Sequence, residues 1–321
     1  MDQRPIVVVD GNNLAARCNY VLKDLQDATG KFSGVIFGVL NSLEGYIREW
    51  KPQEIVVAWD MGRSFWRLEV FPQYKAGRDK KRNSSEEEKK NYEDYKRQLG
   101  IVHEILDLHP VKNIRITGCE ADDIAAYALT HYKPEVPKII VSNDHDFWQC
   151  VSPTVSVWCP GREKFVTPES LYNDLQITPQ EFLIVKCFVG DDSDEIPGYM
   201  GIGEKTAAKL VAKVRASGKD STQIESYCDE EALALYAKTK RTSVITQENL
   251  YILKGNYVIM NLAWGAHRLT RDRGEQTQEQ FSKPLQFDEA VIRDAFGRFS
   301  LNKFLTKFLE YQRTWQTLLL S

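Results

Sequence analysis

The sequence predicts an α/β fold: a central, mostly parallel sheet flanked by helices, followed by a C-terminal helical region. Ile6-Val7-Val8-Val9, Ile55-Val56-Val57-Ala58-Trp59 and Lys138-Ile139-Ile140-Val141-Ser142 are short, β-branched runs without polar alternation, the pattern of strands covered on both faces. Helical periodicity fills the intervals. Residues 33–50 place Val35, Ile36, Val39, Leu40, Leu43 and Ile47 on one face. Each strand-like run is also followed by an acid: Asp10, Asp60, and Asp144 with Asp146. In open α/β sheets, ligands bind beyond the carboxyl ends of the strands.

The 321 residues give room for one large domain or two smaller ones, with an ample core either way. A hydrophobic content of 42% and a charged content of 27% are ordinary for a globular protein. No apolar run approaches the ~18–20 residues that span a bilayer, and the opening MDQRPIVVVDGNN lacks the layout of a signal peptide. A cytoplasmic protein with no membrane partner is expected. Cys18, Cys119, Cys150, Cys159, Cys187 and Cys228 are scattered, with no CxxC pair, and read as reduced thiols. The net charge of −3 does not obviously suit a nucleic-acid binder. If the candidate ligand acids named below are set aside, however, the remainder is net basic, and binding follows the local field.

Asp10 is followed by Gly11-Asn12-Asn13, and a role as helix cap competes with a ligand role. After Asp60 the pattern changes. Arg63, Arg67, Tyr74, Lys75 and Arg78 lead into DKKRNSSEEEKKNYEDYKRQ, and residues 74–97 carry nine basic and six acidic groups. Ser84-Ser85 ahead of Glu86, Glu87 and Glu88 marks a helix start. A solvated surface helix would explain this stretch. So would contact with single-stranded nucleic acid, because Tyr74, Tyr92 and Tyr95 interleave rings with base. Residues 99–108 end the helix, and Ile114-Arg115-Ile116 predicts a strand. Gly118-Cys119-Glu120-Ala121-Asp122-Asp123 then opens a helix with three acids in its first turn. The helix dipole favours acids there, but Glu120 and Asp123 share a face at i,i+3, and their mutual repulsion would be relieved by a cation.

After Asn143-Asp144-His145-Asp146, residues 155–158 and 164–166 predict short strands. Thr167-Pro168 and Thr178-Pro179 predict helix starts. Residues 189–210, VGDDSDEIPGYMGIGEKTAAKL, place Asp191, Asp192, Asp194 and Glu195 before a Pro-Gly turn. Gly201-Ile202-Gly203-Glu204-Lys205-Thr206 is a small-residue hairpin opening a helix. Glycines admit close backbone approach, and a helix start offers N–H groups to phosphate. Dense carboxylates repel phosphate unless a cation intervenes, so metal on one side and nucleic acid on the other is the reading. Further on, residues 232–240 and 246–253 predict helices, 257–260 a strand, 272–284 a polar loop, and 288–311 two amphipathic helices. Lys238, Lys240 and Arg241 are expected to face DNA.

The candidate ligands are Asp10, Asp60, Glu120, Asp122, Asp123, Asp144, Asp146, Asp191 and Asp194. All are hard oxygen donors, which select Mg²⁺ or Mn²⁺ over zinc. Their number implies two or more ions. Paired ions can ionise a water and stabilise the leaving oxygen of a phosphodiester. Lys75 and Arg78 would offset charge on the scissile phosphate, one as a point charge and the other as a fork.

Taken together, these motifs resemble the 5′-nuclease or flap-endonuclease superfamily with its PIN-like domain, over roughly residues 5–215. Tyr74-Lys75-Ala76-Gly77-Arg78 is similar to the YKxxR stretch at the base of that family's helical arch, with Arg67 upstream. Glu120-Ala121-Asp122-Asp123 is similar to its EADD motif, and Asp144-His145-Asp146 to its DxD motif. Gly190 to Gly198 resembles GDxSDNxPG, which makes Asp191 and Asp194 ligands and Asp192 a bystander. Gly201 to Ala207 resembles the GIGxKTA core of the helix–three-turn–helix element, which in the family grips duplex DNA and often holds a K⁺ ion. Glu195 stands where Asn is usual, and His145 where Lys or Gly is common. Because no polymerase domain follows, the resemblance is to stand-alone bacteriophage enzymes, which would act in the host cytoplasm.

The resemblance implies a metal-dependent 5′–3′ exonuclease and 5′-flap endonuclease. It would act as a monomer on branched or 5′-ended DNA, and on RNA primers in RNA/DNA hybrids, during replication. It implies a catalytic domain over residues 1–188, an arch at about residues 74–100, and a duplex-binding helical region over residues 189–321. Asp10, Asp60 and the Glu120 group would hold the first metal set, and Asp144, Asp146, Asp191 and Asp194 the second. Tyr74 would stack on a base, while Arg67, Gly201, Gly203, Lys205 and Thr206 would contact DNA. Two other readings stay open. One is a single-strand PIN-like ribonuclease, for which a duplex grip is superfluous. The other is a catalytically silent, structure-specific DNA-binding protein, which would not need every carboxylate.

Overall fold

Strand β1 (Ile6–Asp10) is the axis of the computed structural model, which describes residues 3–77 and 85–320. It pairs in parallel with β2 (Glu54–Trp59) on one side and β4 (Lys138–Val141) on the other, Val8 lying opposite Val56 and Ile140. With β3 (Lys112–Arg115), β5 (Val155–Cys159) and β6 (Lys164–Val166) the sheet runs β3-β2-β1-β4-β5-β6. Only the β5–β6 pair is antiparallel. Val7 and Val9 enter one core and Ile6 and Val8 the other, so neither face of β1 has a place for polar alternation.

Helices α1 (Gly11–Val21), α2 (Gly34–Trp50) and α4 (Glu86–Leu106) cover the Val7 face, and short α3 (Phe65–Val70) follows β2. The Ile6 face is covered by α5 (Ala121–Thr130), α6 (Pro168–Leu175), α7 (Pro179–Val189) and α8 (Glu204–Ala216). Helices α9 (Glu230–Tyr236), α10 (Leu250–Ile259) and α11 (Leu262–Ser282) extend that layer. The apolar core is therefore continuous across residue 188: Phe188, Ile202 and Val211 share one cluster with Ile6 and Val8. Local chemistry sets the helix starts. Asp10 caps α1, Ser85 caps α4, and Thr167 and Thr178 open α6 and α7 with proline in the first turn.

The C-terminal third departs from the sequence reading in three places. Residues 257–260 finish α10 rather than forming a strand. The amide of Asn256 donates to the carbonyls of Cys187 and Pro197 at 2.9 and 2.6 Å, a tie made only when the helix docks on α7. Residues 272–282 are helical, with a break at Arg273, although only Thr277 and Phe281 are buried there; so thin an apolar stripe reads as loop. Finally, α12 (Glu289–Arg298), α13 (Asn302–Thr306) and α14 (Phe308–Gln316) are three helices where two were expected. Among the described residues no helix is long and apolar enough to cross a membrane.

These last helices return to the Val7 face, where Phe296, Tyr311 and Trp315 pack around buried His109. The imidazole is held at both nitrogens, Nδ1 2.7 Å from the Ile105 carbonyl and Nε2 2.6 Å from the Tyr311 hydroxyl. Trp315→Ala should cost about 3–5 kcal/mol in chemical unfolding, as expected for a fully buried aromatic truncated to a methyl group. A loss below about 1 kcal/mol would mean that the C-terminal helices add nothing to this core.

Candidate metal and nucleic-acid site

The carboxyl ends of β1, β2 and β4 and the first turn of α5 open onto one crevice. Asp10 Oδ1 accepts from the Asn13 amide at 3.0 Å, and Oδ2 from the Ser142 hydroxyl at 2.9 Å. It thus caps α1 and still faces the crevice. Burial, with the charge of Asp60 added, pushes its carboxyl up to about 6. Asp144 accepts from the Asp146 amide at 2.9 Å, and burial together with Asp146 and Asp10 pushes it up to about 7. Desolvation, then Asp144, raises Asp122 well above the usual carboxylate range. Asp60 Oδ1 accepts from the Ala121 amide at 2.8 Å, tying β2 to the start of α5. These acids destabilise one another's charge.

A second group lies beside them. The Asp191–Glu195 turn is closed by reciprocal backbone bonds between Asp191 and Ile196, both 2.9 Å. Its two glycines are required. Gly190 has φ +73° and Gly198 lies so close to the Val189 carbonyl that a Cβ would collide with it. Asp191 Oδ1 accepts from the Ser193 amide and hydroxyl at 2.9 and 2.7 Å. Burial opposes its charge, but these bonds and Lys186 outweigh it and lower its carboxyl. Lys186, which sequence reading did not single out, puts Nζ 2.9 Å from Asp146 Oδ1 and 3.4 Å from Asp191 Oδ2. Burial works against the ammonium, yet Asp146 and Asp191 raise it above its ordinary value. The only hint in the sequence is a lysine in the otherwise apolar last turn of α7.

Several expected roles need correction. Arg67 is not placed to touch DNA: it is 2% exposed. Its guanidinium meets Glu120 Oε2 at 3.1 Å and Asp123 Oδ1 at 2.9 Å and donates to the Ile259 carbonyl at 3.2 Å. Asp123, expected as a ligand, is spent on Arg67 and on Trp66 Nε1 at 3.3 Å, and α11 closes over it at Gly265, where a Cβ would strike its carboxylate. The face that Glu120 and Asp123 share at i,i+3 is thus turned to arginine, and Asp122 is left facing the crevice. Tyr74, expected to stack on a base, is also 2% exposed. Its hydroxyl lies 2.8 Å from Glu120 Oε2 and 3.3 Å from Asp194 Oδ2. Lys75 Nζ is 2.9 Å from Glu120 Oε1 and 3.5 Å from Asp194 Oδ2. Burial opposes the charge of Glu120, but Arg67 and Lys75 hold its carboxyl below the usual range. Arg78 and Ser84 lie outside the described residues.

Among the described residues, no group of three His, Cys, Asp or Glu side chains stands as a ready-made metal cage. The residues nevertheless fit a hard divalent cation. The donors facing the crevice are carboxylates, and Asp10, Asp122 and Asp144 resist ionisation first through burial and then through the charge of neighbouring acids. Bringing a cation among them removes that penalty.

On the side expected to meet nucleic acid, Gly201 has φ +81° and is exposed, as are Gly203 and Lys205, while Ile202 is buried and anchors the turn. Gly203 caps α8 and Thr206 lies half-buried in its first turn. A cleft of about 450 Å³ next to Asp60 is lined by Asn12, Asn91, Tyr92 and Tyr95, with Lys96 Nζ 5.4 Å from the Tyr92 ring.

A mostly parallel sheet with carboxylates gathered beyond its strand ends, beside a glycine turn, defines an open α/β protein with its ligand site at the strand ends. Residues 5–176, more than half of the chain, match the family described as 5′-3′ exonuclease, N-terminal resolvase-like domain. The chain belongs to that family. Thermostable DNA polymerase I of Thermus thermophilus is 33% identical over 207 residues, covering 64% of this chain and 24% of that protein. DNA polymerase I of Bacillus subtilis is 31% identical over 215 residues, covering 65% and 23%. The chain thus spans about a quarter of the length of these curated relatives. In fold it is similar to the T5 5′-exonuclease solved with divalent metal ions (zinc) bound, with a TM-score of 0.72, 23% identity, and 86% and 96% of the two chains covered. It is also similar to the bacteriophage T5 flap endonuclease solved in a pseudo-enzyme-product complex with DNA and metal ions, with a TM-score of 0.66, 21% identity, and 95% and 98% covered.

Arg67→Met would leave Glu120 and Asp123 buried with one cation fewer, and should destabilise the fold by about 3–5 kcal/mol. Unchanged denaturant unfolding, with weakened nucleic-acid binding, would instead restore Arg67 to the interface.

Proposed function

We propose that the chain is a metal-dependent 5′-nuclease that hydrolyses phosphodiester bonds in DNA, as a 5′–3′ exonuclease and a 5′-flap endonuclease, and acts also on RNA primers. The observation that carries this reading is the convergence of Asp10, Asp122 and Asp144 from three separate elements into one crevice, each carboxyl raised by burial and by its neighbours. Acids so arranged cost stability in a molecule that does not use them. Family membership supports the nuclease class.

In this proposal Asp10, Asp60, Glu120 and Asp122 serve one Mg²⁺ or Mn²⁺ site, and Asp144, Asp146, Asp191 and Asp194 serve a second. Bound there, the ions would supply an ionised water and a counter-charge for the leaving oxygen. The chain's own groups do the rest. Lys75 and Arg78 bind the scissile phosphate, Lys75 exchanging its carboxylate partners for the substrate. Tyr74 orients Glu120 and Asp194 from beneath, and Lys186 holds Asp146 and Asp191 in register. The Gly201–Thr206 hairpin, with Gly201, Gly203, Lys205 and Thr206, grips the duplex, and it would hold a K⁺ ion if one binds there. Residues 1–188 carry the chemistry, and residues 189–321 carry the duplex grip and brace the sheet. The protein acts as a monomer in the cytoplasm, on branched or 5′-ended DNA or an RNA/DNA hybrid.

A labelled 5′-flap incubated with Mg²⁺ should be cut at positions that map to the flap junction, and chelation with EDTA should stop the reaction. A protein that binds the flap and leaves it intact in Mg²⁺ and in Mn²⁺ is not a nuclease. Asp122→Asn should abolish cleavage while leaving flap affinity nearly unchanged. Lys75→Ala should slow single-turnover cleavage by about 10²-fold with only a small loss of affinity. Equal loss in rate and affinity would reduce Lys75 to an electrostatic anchor.

A further inference from the structure

His145 lies between two of the crevice acids and opens a 3₁₀ segment, His145–Cys150. Both of its ring nitrogens are engaged, and by different parts of the fold. Nε2 is 2.9 Å from Nη2 of Arg162, in the turn between β5 and β6, and Nδ1 is 3.1 Å from Oε1 of Glu204, the first residue of α8. A guanidinium can only donate. Nε2 is therefore the acceptor, and the ring proton sits on Nδ1 and is donated to Glu204. The imidazole lies flat on Trp148, with centroids 3.9 Å apart and planes at 21°, and Trp148 packs against Phe182 at 5.1 Å. The ring is held on one face and at both nitrogens.

Each end of this chain of contacts is stiff. On the acid side, the Asp146 amide donates to Asp144 Oδ1 at 2.9 Å, which ties the Asp144 carboxylate to the backbone on the far side of His145. On the other side, Glu204 follows the Gly201–Gly203 turn directly, and the amides of Thr206 and Ala207 donate to the Gly203 carbonyl at 2.9 and 3.0 Å. A tilt of that turn displaces the Glu204 carboxylate. The hydrogen bond from His145 is also the largest influence holding the Glu204 carboxyl below its usual range.

We propose that Arg162, His145 and Glu204 form a latch that couples engagement of a duplex by the Gly201–Thr206 hairpin to the placement of Asp144 and Asp146. The inference rests on the proposed nuclease function and deepens it: His145 and Glu204 are positioning residues through which duplex binding sets the geometry of the second acid group. Duplex behind the cleavage point would then raise the rate of the chemical step as well as the affinity. A packing role alone would not link the two.

The test compares single-turnover cleavage, in Mg²⁺, of a 5′-flap on a long duplex and of the same single strand without duplex. Duplex affinity is measured separately in EDTA, and thermal unfolding is followed for each variant. His145→Phe keeps the stack on Trp148 and removes both hydrogen bonds. The acceleration that duplex gives the wild type should fall by about tenfold in this variant, with duplex affinity and the unfolding midpoint nearly unchanged. Glu204→Ala should lose the acceleration as well, whatever its effect on duplex affinity, and it provides the test if His145→Phe fails to fold. Glu204→Gln keeps an acceptor for Nδ1–H and should retain the acceleration. Equal slowing on both substrates, or weaker duplex affinity with the acceleration intact, would overturn the latch. A wild-type protein that binds the duplex and cleaves neither substrate would overturn the nuclease reading itself, and the latch with it.

Discussion

Crowded carboxylates are the constraint on which the rest of this structure depends. A buried charge without a partner is among the most costly features a fold can hold, and here acids from β1, α5, the segment after β4 and the 190–198 loop share one region. The fold manages them with cations of its own. Arg67 stands between Glu120 and Asp123, Lys75 between Glu120 and Asp194, and Lys186 between Asp146 and Asp191. Each ties an acid of one element to an acid of another, or to the start of a helix. These cations offset only part of the burial cost, and the carboxyls of Asp10, Asp122, Asp144 and Asp146 stay raised. Those acids are where the proposed metal would sit.

Helix geometry gives the acids at the start of α5 different neighbours. Residues three apart share a face and adjacent residues do not. Glu120 and Asp123 therefore turn together toward Arg67, and Asp122 turns the other way. The same sorting explains why α11 can close at Gly265 over Asp123 without blocking the crevice. It also makes Tyr74 part of the support: a ring in the core with its hydroxyl on Glu120 fixes the orientation of a carboxylate that Lys75 also holds.

The parts of this arrangement legible in the sequence were those that depend on backbone period or on turn chemistry. Unbroken β-branched runs gave the central strands, and an acid after each run located the crevice. Threonine followed by proline located the starts of α6 and α7. What the sequence did not show was pairing across long separations. Lys186 looked like one charge at the end of an apolar helix; that it faces Asp146, forty residues earlier, is a product of folding. Arg67 read as a nucleic-acid contact through the family resemblance, and Tyr74 through that resemblance and its place among basic residues. The burial of Arg67 is imposed by α10 and α11, whose own packing was hidden by an apolar run mistaken for a strand in one and a thin apolar stripe in the other.

Backbone conformation connects the two sides of the crevice. Lys75 and Glu195 both adopt left-handed φ, +57° and +61°, which costs a side-chain-bearing residue roughly 1–2 kcal/mol relative to the right-handed region. They face one another across a strap of two bonds: the Lys75 amide donates to the Asp194 carbonyl at 3.2 Å, and the Gly77 amide to Glu195 Oε2 at 2.9 Å. The strain is therefore local to the place where the segment leading to Arg78 meets the loop carrying Asp191 and Asp194. A looser turn on either side would relieve it, but would also release Lys75 from the distance at which it meets both Glu120 and Asp194. Strain retained at this junction keeps one lysine bridging two acids, and under the proposed function it would ease the release of Lys75 to a substrate phosphate.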